Sequence, residues 1–519
     1  MKLNRINIYA AIVIAASTTF IGCDKRTDLI NPNAQTSVSF WQNSSDAVKG
    51  INAAYASLIV DGSYMRCTPL MLDLRGDDTH SNSPWDQMYN SGKFALNTDN
   101  SAIYGWAFGA YYEGVSGCNQ VLNYVPKINM DATLKSRVLG QAYFLRGLYF
   151  FHLVNMFGNV ALPTSTSVIY NKQHTQAEGW TQVISDFQQA VKLLPTSYIS
   201  VNGADAGQVG RATKGAALAF LGKSYLFNKN YDSAATCFKA VIDLGLYSLV
   251  ANYADNFTTN NENNAESIFE VQFSRDAGGK DLGWGGNPSS SWGKTSARAI
   301  TYAPRGFGWT DVQPTKTLLN EFQQEKTTFN KEDPRLTATL FYNKPGLKLY
   351  GKLFSTNYAA NKSDLNDVFC AKYENSDGTF ADEYDWRSGI NERLMRYADV
   401  LMMYAECLNE TGHTADAYSY IQQVRTRAGL ANLATIKPSM TQDQMRDQIS
   451  HERFLEFALE GHRFDDIRRW GWLQDATKLS LLQSRDDEFI TYKEGRELFP
   501  IPQSGEIDVN LGFKQNPGY

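Results

Sequence analysis

Two stretches of this chain repeat one helix-pair pattern, and that repetition restricts the fold more than any other feature. In the first, Thr213 to Leu244, the residues Leu218, Leu221, Gly222 and Tyr225 are followed by Ala234, Phe238 and Val241. Each set recurs at the three-to-four-residue interval that keeps side chains on one face of an α-helix. Gly222 lets the first helix approach the second closely, where the small Ala234 faces it, and Asn228-Lys229-Asn230 supplies the turn. In the second stretch, Arg396 to Leu430, the residues Leu401, Tyr404, Ala405 and Leu408 precede Ala417, Ile421 and Val424, with Gly412 at the turn.

This spacing matches the tetratricopeptide type of helix pair. Weaker pairs are expected at 137–157 with 178–194, and at 443–461. Such units make a scaffold that binds protein segments or packs against a partner. Other helices are predicted from Ser45-Asp46 onward (Ala47, Ile51, Ala54, Tyr55 and Leu58 on one face), over Tyr104 to Val125, and over Leu134 to Phe157, which Gly158 stops. Between the two good pairs, roughly 253–385, helical periodicity fades and Gly, Asn, Ser and Pro accumulate, so irregular loops with short strands such as Ile268 to Phe273 are expected there. The predicted architecture is mainly α, with tetratricopeptide-like helix pairs packed against a loop-rich region containing short strands. Because that region is too long for a plain connector, it is where ligand binding is expected.

The N-terminus carries a different signal. Lys2 and Arg5 precede an apolar run from Ile6 to Ile21 that ends at Gly22-Cys23. The run is short and rich in Ala, Ser and Thr, which suits a cleaved export signal over 1–22 better than a spanning helix. The Gly22-Cys23 junction resembles the lipobox of bacterial lipoproteins, in which the thiol accepts a diacylglycerol. Each buried CH₂ of an acyl chain adds about 0.8 kcal/mol of membrane affinity, so a multiply acylated Cys23 would anchor the body, 23–519, firmly. Residues 24 to 39 read as a tether, with a turn at Asn31-Pro32-Asn33.

Composition excludes several function classes. A net charge of −5 gives no reason to expect a nucleic-acid partner. Cys67, Cys118, Cys237, Cys370 and Cys407 are widely spaced without CxxC, which favours buried free thiols over a zinc cluster. The six His show no ligand spacing, so neither a metal nor another cofactor is expected. No GxSxG, HExxH or phosphate-loop motif occurs. Asp77-Asp78 is a carboxylate pair that suggests a glycosidase, but adjacent residues usually point apart, whereas that chemistry needs two carboxyls about 5 to 10 Å apart across a bond. The expectation is a protein that is not an enzyme. Asp399 and Glu406 fall on a buried-looking helix and Arg425, Arg427, Arg453 and Arg463 on other helices; such charges are expected to be paired and to knit helices together.

Four segments resemble one family in its own order. They are Gln141 to Gly158 with Val160 and Pro163; Leu394 to Glu406; Glu452 to Trp470 with Glu460-Gly461-His462-Arg463 inside; and Leu498 to Pro502 with Glu506, Ile507, Asn510 and the closing Gln515 to Tyr519. With the lipobox, they resemble the SusD/RagB family, surface glycan-binding lipoproteins of the outer membrane of Bacteroidota. The resemblance covers essentially the whole mature chain. It implies binding of oligosaccharide at the cell exterior and its delivery to a SusC-like TonB-dependent transporter, with the helical repeats facing the transporter.

A pyranose ring offers apolar faces to an aromatic plate and a rim of hydroxyls to polar side chains. The loop Leu74 to Tyr89 supplies both, through Asp77, Asp78, Asn82, Trp85 and Tyr89. The resemblance places ligand contacts on this loop by location. Trp284, Trp292, Tyr302, Arg305 and Trp309 of the glycine-rich region are further glycan-binding candidates. The competing reading is a lipid-anchored tetratricopeptide scaffold for peptide or protein ligands. Cys23→Ala is expected to leave the fold intact and abolish stable membrane attachment. Fractionation of cells expressing the signal-cleaved variant checks this, and persistent membrane retention would contradict it.

Overall fold

The computed structural model describes residues 40–167, 172–278, 293–375, 381–384, 387–503 and 512–519. The lipobox and Cys23 therefore lie outside the described residues. In the unit from Asn43 to Tyr519 the helices include α1 (Ser44–Ala56), α2 (Tyr104–Tyr124), α3 (Ala132–Phe157), α4 (Gln176–Leu193), α5 (Lys214–Phe227), α6 (Tyr231–Asp243), α7 (Tyr397–Glu410), α8 (Thr414–Arg427), α9 (Gln442–Glu456) and α10 (Arg463–Arg469). Several begin where a side chain satisfies free backbone N–H groups. Asn43 and Asp46 close a capping box on α1, Thr175 and Glu178 close one on α4, and Thr441 and Gln444 close one on α9. Gly158, at φ 73°, ends α3.

Consecutive helices pack on one another: α3 on α4, α5 on α6, and α7 on α8. In the α5–α6 pair a Cβ on Gly222 would sit 2.7 Å from Phe238, so only a residue without a side chain allows this approach. Ala234 and Phe238 are fully buried opposite it. Between the pairs, Phe144, Phe187, Phe220 and Phe269 form a ring cluster with centroids 4.8 to 6.4 Å apart. The five candidate thiols are free and buried.

The described strands form two-stranded antiparallel pairs. Two of them matter for function. β1 (Thr79–Ser81) pairs with β3 (Val312–Pro314), Ser81 opposite Val312, and so ties the loop after the second short helix to the loop-rich region. β2 (Ser267–Val271) pairs with β6 (Glu392–Arg396) through a bulge at Arg393 to Met395. The loop-rich region differs from expectation in holding short helices as well, such as Lys316–Gln323, Pro334–Thr339 and Phe354–Asn357. Thr315 caps the first of these, and only Leu318 and Phe322 are buried in it, too brief a pattern to register as periodicity.

The predicted buried charges do pair across the core. Arg453 donates to Asp399 and Asp466, 2.7 Å each, and Arg469 donates to Glu406 at 2.6 Å. Glu452 and Glu456 are both fully buried and take Arg335 between them at 2.7 and 3.1 Å. Ala234→Phe is expected to destabilise the chain by roughly 1–3 kcal/mol through overpacking at the α5–α6 contact. Thermal or urea melts measure this, and an unchanged midpoint would show that the position is not packed.

Candidate functional site

The loop Leu74 to Tyr89 splits into a buried half and a surface half. Asp77 is fully buried. Its carboxylate accepts from Nε and Nη2 of Arg463, the latter at 3.0 Å, and from Arg485 Nη1 at 2.9 Å. Burial alone would raise that carboxyl, but Arg463 and Arg485 outweigh it and hold the group below the ordinary carboxylate range. Asp78 is also buried, and accepts the backbone N–H of Leu459 at 3.1 Å. Burial, with the charges of Asp73 and Asp77 beside it, pushes its carboxyl up to about 7. Tyr302 is 1% exposed and donates to Asp73 at 2.6 Å. These three residues are thus corrected from ligand contacts to parts of the interior, because a sugar hydroxyl has no path to them in this fold.

The surface half begins at Asn82. Its backbone N–H donates to the Asp311 carbonyl at 2.9 Å, continuing the β1–β3 pairing, and its side chain is exposed. Ser83 hydrogen-bonds the buried Asp311 carboxylate, whose pKa is raised by burial against the pull of Ser83 and Arg66. Trp85 follows, half-buried. Its ring lies 5.8 Å from that of Trp106 at a 40° tilt. The Arg66 guanidinium sits 5.3 Å from the Trp85 centroid and 5.7 Å from that of Trp106. Arg66 is itself fixed by a two-point ion pair to Asp61, at 2.7 and 2.6 Å. The turn that carries Asp61 can lie against α2 because a side chain on Gly62 would collide with the Trp106 carbonyl. Two tryptophans therefore share one buried cation, beside an exposed asparagine.

The other candidates are distributed around this pair. Tyr89 is 41% exposed on the helix Asp86–Gly92, with the Lys93 ammonium 4.2 Å above its ring and bonded to its hydroxyl at 2.6 Å. Trp309 is half-buried two residues before Asp311, and its backbone N–H donates to Ile300 at 2.8 Å. Arg305 has a half-exposed side chain that pairs with Asp364 and lies 3.8 Å from Asp367. Trp284 and Trp292 lie outside the described residues. Arg66 and Trp106 escape a sequence reading, since one sits among apolar residues and the other in a run of helix aromatics. Among the described residues no group of His, Cys, Asp or Glu is arranged to hold a metal.

The described residues thus form a mainly helical body that carries a half-buried pair of tryptophan rings. The chain belongs to the SusD/RagB family. The model for the SusD family matches residues 265–519, and a model described as starch-binding, associating with the outer membrane, matches 33–226. A SusD-like protein of Formosa agariphila, P25, is 26% identical over 92% of this chain and 92% of its own length. A solved SusD superfamily protein from Bacteroides vulgatus superposes with a TM-score of 0.80 at 27% identity, covering 92% of this chain and 100% of that one. A solved laminarin-binding SusD-like protein gives a TM-score of 0.72 at 26% identity, covering 92% and 100%. As a member of this family the chain is a non-enzymatic, oligosaccharide-binding protein of the outer membrane.

Asp77→Ala is expected to destabilise the fold by about 3–5 kcal/mol, because it leaves the buried Arg463 without its partner. Urea unfolding measures this, and a midpoint within error of wild type would return Asp77 to the list of groups available to a ligand.

Proposed function

We propose that oligosaccharide binds across Trp85 and Trp106, with Asn82 and the Trp309 segment at its hydroxyl rim. The observation that carries this is the tilted tryptophan pair on a shared arginine. A half-buried aromatic ring presents one face to solvent while the rest of the side chain is fixed, which suits the C–H face of a pyranose. Arg66 contributes by holding both plates before the ligand arrives, so little ordering remains to be done on binding. The laminarin-binding relative supports a β-glucan as the first glycan to test.

Membership of the family supports a reading of the rest of the assembly. Cys23 carries the lipid and holds the body at the outer face of the outer membrane, and a SusC-like TonB-dependent barrel receives the bound oligosaccharide. The pairs α5–α6 and α7–α8 act as tetratricopeptide-like units toward that barrel; the close approach at Gly222 and the buried Ala405 and Ala417 support this. Co-purification of a barrel protein with the tagged chain from solubilised membranes tests the partnership, and recovery of the chain alone would count against it.

Trp85→Ala is expected to weaken glycan binding by roughly 1–3 kcal/mol, the loss of a well-packed contact at a binding centre. Its melting temperature should change little, because the side chain is only half-buried. Calorimetry with laminarin, followed by other neutral glycans, measures the first part and thermal melts the second. Unchanged affinity for every glycan that binds the wild type would remove Trp85 from the site.

A further inference from the structure

We propose that Phe307, Tyr350 and Tyr384 form a second sugar-stacking surface that extends the Trp85 platform, so that the protein selects longer oligosaccharide chains over short ones. The inference rests on the reading of the Trp85 platform given above.

The Phe307 and Tyr350 rings are stacked, with centroids 4.6 Å apart and planes 6° from parallel. Both are half-buried. Tyr384 is 50% exposed and its hydroxyl donates to the Gly308 carbonyl at 3.3 Å, which places it beside the same segment.

Tyr350 occupies an unusual position for an aromatic residue. The hairpin of β4 (Lys348–Leu349) and β5 (Lys352–Leu353) pairs Leu349 with Lys352, leaving Tyr350-Gly351 as its two-residue turn. Their φ angles are 46° and 78°, both in the left-handed region. Such corners ordinarily take Asn, Asp or Gly, because a Cβ is strained there. Here the ring is held from two sides, by the Phe307 stack and by the Tyr350 hydroxyl donating to Glu383 at 2.6 Å. Glu383 is fixed in turn: its backbone N–H donates to the Phe307 carbonyl at 2.8 Å, and its carboxylate accepts from Asn375 at 2.7 and 2.6 Å.

Local packing explains part of this arrangement. Phe307 and Tyr350 border a small core of Phe341, Leu349, Phe354, Tyr358 and Phe369. That core does not include Tyr384, nor does it require an aromatic ring at the strained turn. The exposed Tyr384 ring beside the half-buried Phe307–Tyr350 stack offers aromatic surface to a polymer of pyranose rings.

Continuity with the first platform comes from the segment 307–311. Its far end, Asp311, accepts the Asn82 N–H at 2.9 Å. Four residue steps from Phe307 to Asp311 span at most about 14 Å and three from Asn82 to Trp85 at most about 11 Å, so an oligosaccharide of several units is needed to reach both surfaces. Arg305, two residues before Phe307 and with a 41% exposed side chain, offers N–H donors at the edge.

The test compares wild type with Trp85→Ala, Tyr384→Ala, Tyr350→Ala and Tyr350→Phe. Affinity gels containing laminarin, starch, xylan or mannan select the glycan, and calorimetry follows with its disaccharide and hexasaccharide. Tyr384→Ala and Tyr350→Ala are expected to weaken hexasaccharide binding about five-fold or more while leaving disaccharide binding within about two-fold, and Tyr350→Phe is expected to bind as wild type. Trp85→Ala should weaken both. If Trp85→Ala loses binding while both tyrosine-to-alanine variants hold the hexasaccharide as wild type does, the extension is overturned and the Trp85 platform stands. Wild type retarded by none of the gels overturns the platform and the extension with it. Tyr384→Ala, at a half-exposed position, keeps the test decisive if Tyr350→Ala does not fold.

Discussion

Glu456 is a carboxylate with no exposure to water that serves three arginines at once. Arg427 reaches both of its oxygens at 2.5 Å, and Arg396 and Arg335 each donate at 3.1 Å. Burial would push this carboxyl up, but the three guanidinium groups hold it down at about 2. The same holds for Glu460, at about 2 under Arg396 and Lys372. An isolated buried charge is costly, so each member is tolerable only while its partners stay in place. The network therefore works as a geometric constraint on the chain more than as a source of net stability. It joins α9 to α8 through Arg427, to the strand β6 through Arg396, and to the helix Pro334–Thr339 through Arg335.

The position of the surface site follows from this interior frame. Arg298, which donates to Asp73 and Glu392 at 2.9 Å each, links the start of the loop Leu74 to Tyr89 to β6. Asp77 then locks the loop onto Arg463 of α10, at the end of the segment that contributes Glu456 and Glu460. From that fixed point β1 pairs with β3, and the next residues, Asn82 to Trp85, emerge at the surface beside Asp311. Asp77 and Asp78 have the chemistry to grip a sugar hydroxyl, yet both are buried and bonded to the core. Farther along the loop the Trp85 ring is half-buried over Arg66 and the Tyr89 ring is exposed beside Lys93.

Much of the scaffold was already legible in the sequence. The helical runs near 45, 104 and 134, the stop at Gly158 and the turn at Asn228 to Asn230 all depend on local periodicity and backbone preference, which neighbouring residues alone express. The need for Asp399, Glu406, Arg425 and Arg453 to pair was also legible, because charge on a buried helix face allows little else. The fate of Asp77 and Asp78 was not. Their partners Arg463, Arg485 and Leu459 lie 386, 408 and 381 residues away along the chain, so a polar loop with two aspartates looks the same in sequence whether those groups face water or the core. Tertiary structure alone likewise brought Arg66 under Trp85 and Trp106, and set Tyr350 in a left-handed turn against Phe307, since contacts between distant segments leave no periodic trace in any one of them.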